Sequence, residues 1–77
     1  MKKIIFEDME EKVSHDEVDY TRPVFAKKNK EFTGMLIQDD RGWSLMLGGR
    51  VHSAGYYLTP TACMKASLCY GYTFHVV

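Results

Sequence analysis

The chain reads as an α+β fold: a small two-layer domain in which an antiparallel sheet of three to four strands packs on one helix at about residues 60–70. Three observations predict it. Two apolar, β-forming runs at 32–38 and 43–47 are separated by Asp39-Asp40-Arg41-Gly42, a turn composition. Thr59-Pro60 is a helix start, with a hydroxyl for the N-cap and a proline at the first helical position, where its missing N–H costs nothing. Finally, 77 residues of which 45% are apolar suffice for one small core. Residues 1–77 form a single domain, divided into an acidic N-terminal segment (1–20) and a sheet-plus-helix core (21–77).

Taken in order, residues 2–6 contain β-branched Ile4 and Ile5 and favour a strand. In the acidic stretch, Ile5, Met9 and Val13 recur every four residues, which fits one face of a helix. Ser14-His15-Asp16-Glu17 has the form of a capping box. The alternative for this stretch is a mobile loop, because like charges repel. Pro23 favours extended backbone at Arg22. The runs at 32–38 and 43–47 pair as a hairpin. Trp43, Leu45 and Leu47 alternate with Ser44 and Met46, so the Trp43 side is expected to face inward. Gly48-Gly49 marks the next turn, and residues 50–58 read as a third strand interrupted by Gly55.

The helix then runs from Thr59 towards Gly71, a C-cap residue. At 100° per residue, Ala62, Cys63, Ala66, Cys69 and Tyr70 share one mostly small face suited to close packing. Met64 and Leu68 point elsewhere, with Ile5, Met9 and Val13 as their expected cover. Residues 72–77 return as a last strand.

Catalytic and metal motifs are absent from the pattern. His15, His52, Cys63, Cys69 and His75 are not at zinc-finger spacing. On a helix, Cys63 and Cys69 lie about 9 Å apart along the axis, too far to bridge. Gly48-Gly49-Arg50 lacks the Lys-Ser/Thr ending of a phosphate-binding loop. No catalytic residue, metal or cofactor is expected, and the chain is read as a non-enzyme. No apolar run approaches the roughly 18 residues that span a bilayer. Residues 1–6 meet acids at Glu7 without a signal-peptide apolar region, which points to the cytoplasm, with reduced cysteines.

Charge carries more information. The net charge is zero, yet residues 7–19 hold seven acids (Glu7, Asp8, Glu10, Glu11, Asp16, Glu17, Asp19) against one base, Lys12. The remainder holds nine bases and three acids. Such segregation points to electrostatic choice of a partner. A dense acidic segment on a small chain without catalytic motifs resembles phage or mobile-element accessory proteins, anti-CRISPR inhibitors among them. That likeness implies stoichiometric binding to a nucleic-acid-handling host defence protein. The seven carboxylates would mimic phosphates, and Tyr56, Tyr57, Met64 and Leu68 would anchor the contact.

The opposite reading rests on Lys27, Lys28, Lys30, Arg41 and Arg50. Gly42-Trp43, Gly48-Gly49-Arg50 and Gly55-Tyr56-Tyr57-Leu58-Thr59, followed by an Ala-containing helix, are similar to the AP2 and phage-integrase arm-type DNA-binding domain. The similarity covers residues 32–70. It implies three antiparallel strands packed on a helix, with DNA read through the sheet. Where that family carries Arg and Lys on its outward positions, this chain has Ser44, Met46, His52 and Ser53.

Overall fold

The computed structural model describes residues 1–6, 13–52 and 55–77. Their strands are β1 (Lys2–Ile5), β2 (Val13–Ser14), β3 (Val24–Lys28), β4 (Glu31–Asp39), β5 (Gly42–Leu47), β6 (Arg50–Val51) and β7 (Thr73–Val76), with one helix, α1 (Pro60–Leu68), before β7. All seven strands join one sheet in the order β2-β1-β7-β3-β4-β5-β6. Only β1 and β2 pair in parallel, which makes the sheet mixed. The expected α+β domain of three to four antiparallel strands on a helix is therefore overturned: this is a mostly-sheet domain with one short helix. The physical reason is β3. Its backbone pairs β4 on one side and β7 on the other, which splices the chain's two ends into the central meander.

The turns follow local chemistry. Lys28 pairs Glu31, leaving Asn29 and Lys30 as a two-residue loop with φ of 53° and 67°. Both residues are left-handed, the geometry that matches the twist of a tight hairpin. Gly48 and Gly49 do the same between β5 and β6. In the β4–β5 turn the Arg41 backbone N–H donates to Asp39 Oδ1 at 2.8 Å. The expected third strand is much shorter than residues 50–58: after β6 the His52 N–H donates to the Leu45 carbonyl at 2.7 Å and a Trp43–Tyr57 bridge follows along the edge of β5.

The acidic segment's expected helical stripe is not formed. Ile5 lies in β1 and Val13 in β2, while Met9 falls outside the described residues. Ser14 does cap, accepting from the Asp16 N–H at 3.2 Å, but it opens only a 3-10 turn, His15–Glu17.

Register separates two faces. Ile4, Val24, Ala26, Leu36, Leu45 and Phe74 alternate onto one of them and form the buried core. Helix α1 contacts β5 and β7 and adds Cys63 and Met64 to that core. Thr59 Oγ1 accepts from the Ala62 N–H at 3.1 Å and Pro60 follows, as the sequence leads one to expect. The buried side of the helix is Cys63, Met64 and Ser67, whereas Ala62 and Cys69 are exposed and Tyr70 lies beyond the helix. That corrects the expected face. Strand contacts at one side of a nine-residue helix choose the stripe, and a long Met fills the gap better than the alanines.

The other face carries no described helix and is open in part, although Ser44 and His75 on it are buried. Lys3, His75, Phe25, Met35, Met46 and Val51 form one continuous row across six strands. Phe25, Met35, Ile37, Met46 and Val51 are all partly exposed, and no described helix covers them.

Candidate partner-binding site

Four of the seven acids, Glu7, Asp8, Glu10 and Glu11, lie outside the described residues. Of the other three, Asp16 and Asp19 take part in short-range hydrogen bonds. Asp16 and Glu17 occupy the turn capped by Ser14 and are exposed. Tyr20 Oη donates to the His15 carbonyl at 3.2 Å and fixes the base of that turn. Asp19 Oδ1 accepts from Thr21 Oγ1 at 2.6 Å and from the Thr21 backbone N–H at 3.0 Å. Those bonds, the hydroxyl one foremost, hold the Asp19 carboxyl below its ordinary pKa, with Arg22 adding a smaller effect.

Glu17 and Asp19 both line a cleft of about 460 Å³. Val13, Val18, Pro23 and Val76 supply its apolar surface, and Lys2 and Arg22 also line it. Apolar surface beside carboxylates is the chemistry that takes a long cationic side chain, whose methylenes bury while the head meets a carboxylate.

The four expected apolar anchors separate. Met64 is 0% exposed and belongs to the core, so it offers a partner no surface. Tyr57 is half-buried and packs against that core. Tyr56 is held by Arg41, whose Nη1 donates to the phenol oxygen at 2.8 Å with the guanidinium 5.5 Å from the ring centre. Leu68 is 38% exposed. It ends the helix, whereas Tyr56 lies before the helix starts.

Of the five cations of the DNA-binding alternative, Lys27, Lys28, Lys30 and Arg50 lie towards one end of the sheet and Arg41 at the other. Lys27 sits on the open face, its Nζ 4.4 Å from the Phe32 ring centre, and Lys28 lies over Tyr72 at 5.1 Å. Lys30 and Arg50 occupy the β3–β4 and β5–β6 turns at one end of the sheet, whereas Arg41 is in the β4–β5 turn at the other.

The open face is what sequence reasoning missed. Phe25 and Phe32 meet edge to face with ring centres 6.1 Å apart. His75 contacts Thr73 Oγ1 through Nε2 at 2.8 Å, and burial first, then Lys27, Lys3 and the N-terminal ammonium, push its pKa down. The available signal was Val24-Phe25-Ala26 after Pro23 and before Asn29, a short strand ending in a turn residue.

Among the described residues no group of three or more His, Cys, Asp or Glu is placed to hold a metal ion. Cys63 is buried and its thiol is pushed up to about 11, while exposed Cys69 donates to the Ala66 carbonyl at 2.9 Å. No described helix is long and apolar enough to cross a membrane. Comparison with protein-family models, with curated proteins and with solved structures returns no match to this chain.

Proposed function

We propose that this chain is a non-enzymatic accessory protein of the phage or mobile-element type that binds and inhibits a nucleic-acid-handling defence protein of a bacterial host. It acts stoichiometrically, as anti-CRISPR inhibitors do, its acidic surface occupying the partner's nucleic-acid site. The observation that carries this reading is the cleft. It brings Glu17 and Asp19 together with apolar Val13, Val18, Pro23 and Val76, and with Lys2 and Arg22, in one lining. A cationic side chain of a phosphate-binding surface would meet those carboxylates in competition with Lys2 and Arg22. Such carboxylates speed and orient association, and the cleft's apolar walls supply burial. Arg41 stands at the opposite end of the sheet from Lys28, Lys30 and Arg50, and Lys27 and Lys28 project from opposite faces, so the five cations do not line one sheet face as an AP2-like reader of duplex DNA requires.

The test is capture of host proteins on the immobilised chain, with wild type beside the triple variant Asp16→Asn, Glu17→Gln, Asp19→Asn. Expected is a nucleic-acid-binding protein that the wild type retains, that the variant loses and that added duplex DNA displaces. A partner retained equally by both proteins and indifferent to DNA would overturn phosphate mimicry.

A further inference from the structure

The end of the sheet opposite the β4–β5 turn carries a second, oppositely charged surface. Here the loops Asn29-Lys30 and Gly48-Gly49 protrude side by side, with Lys28 and Arg50 at their bases. Two exposed aromatic rings flank these cations. On the open face stands Phe32, 56% exposed, with Lys27 Nζ over its ring at 4.4 Å. On the covered face stands Tyr70, 48% exposed, edge to face with His52 at 4.8 Å. His52 in turn meets Tyr72 at 5.4 Å, and Lys28 lies over Tyr72, so this cation is packed with the rings of the covered side. Of the described acids only Glu31 belongs to these turns. Asp39 and Asp40 occupy the opposite turn, Asp19 precedes the far end of β3, and Asp16 and Glu17 follow the remote edge strand β2.

The Asn29-Lys30 loop adds an independent sign. Lys30 has φ of 67°, in the left-handed region where glycine is the residue of choice. A cation is thus kept at the loop tip at the expense of backbone comfort, and strain of this kind points to a use.

We infer that this end of the sheet binds single-stranded nucleic acid. Phosphates would run over Lys28, Lys30 and Arg50, and bases would stack on Tyr70 at one side and Phe32 at the other. Exposed rings alternating with cations match the alternation of base and phosphate in an unpaired strand. A duplex keeps its bases stacked inside and presents only its phosphates to such an edge. This surface shares no residue with the acidic cleft, so either assignment can fail alone.

The test is fluorescence anisotropy with a labelled oligodeoxythymidine of about 12 nucleotides, alongside a duplex of equal length, at about 50 and about 200 mM salt. Wild type is expected to bind the single strand more tightly than the duplex, with affinity falling as salt rises. The variant Lys28→Gln, Lys30→Gly, Arg50→Gln is expected to lose about tenfold or more in affinity, its log–log salt slope shallower by about 2. Tyr70→Ser and Phe32→Ser, both at exposed positions, are each expected to lose about fivefold or more at unchanged slope. Lys30→Gly alone relieves the left-handed lysine, so its affinity loss comes without a lower melting temperature. Absence of single-strand binding at low salt overturns the assignment. So does a triple variant that binds like wild type, a duplex bound as tightly as the single strand, or ring variants that lose nothing.

Discussion

Ser44 sits directly opposite Ile37 on the open side of β5, yet it is 0% exposed and its Oγ finds no hydrogen-bond partner among the described residues. A buried, unsatisfied hydroxyl costs about 1–3 kcal/mol, so Ser44→Ala is expected to raise stability by about 1 kcal/mol, read from the urea midpoint at constant slope. His75 makes the stability depend on pH. Its folded pKa lies below the ordinary 6.5, so the native state binds fewer protons than the unfolded chain. Stability is therefore full above that value and declines as pH falls through it towards the folded pKa. The Asp19 contribution, from a carboxyl held below its ordinary 3.8, is lost only at lower pH. The expected outcome is a urea midpoint that drops between about pH 7.5 and about pH 5, and a flatter profile for His75→Gln.

At the scale of elements, the β4–β5 contact depends on one glycine. At Gly34, which pairs Leu47, an added Cβ would lie 2.1 Å from the Met46 carbonyl oxygen and 2.6 Å from Leu47 Cδ2. The first of these is backbone and has no rotamer to move, so Gly34→Ala is expected to destabilise by about 3 kcal/mol, with the hairpin losing register before the rest of the sheet. Hydrogen exchange at β4 and β5 amides checks it. Helix α1 depends on its start. With Thr59→Ala the Ala62 N–H loses its acceptor, for an expected loss of about 1 kcal/mol in the same urea measurement.

Over the whole molecule the two cysteines report on cooperativity. Cys69 is exposed, while Cys63 is 1% exposed with its thiol pushed up to about 11. A thiol reagent at neutral pH is expected to modify Cys69 at once and Cys63 only through opening of the core, at a rate that rises with urea as global stability falls. Rapid modification of both would show that α1 detaches independently of the sheet. Charge is likewise organised over the whole sheet, with carboxylates at the cleft near the start of β3 and cations on the loops at its other end, although the total is zero. Opposed ends of this kind make association orientation-dependent and sensitive to salt.

What was legible from residues alone had a local cause. The 39–42 turn, the Gly48-Gly49 loop and the Thr59-Pro60 helix start are each set by side-chain and backbone chemistry within a few positions. Each stands where the composition places it. The acidity of residues 7–19 and the lysines near the β3–β4 loop are equally plain in the chain. Tertiary structure decided the rest. Ile5 and Val13 match a helical repeat as well as two strand positions, and only pairing with β7 and β1 selects the latter. Likewise, Met64 rather than Ala62 or Ala66 enters the core because β5 and β7 present the cavity it fills. Both choices follow from contacts between residues far apart in sequence, whose energy no local window contains. The same holds for the two binding surfaces, since the cleft joins residue 2 to residue 76 and the cationic end joins residue 28 to residue 72.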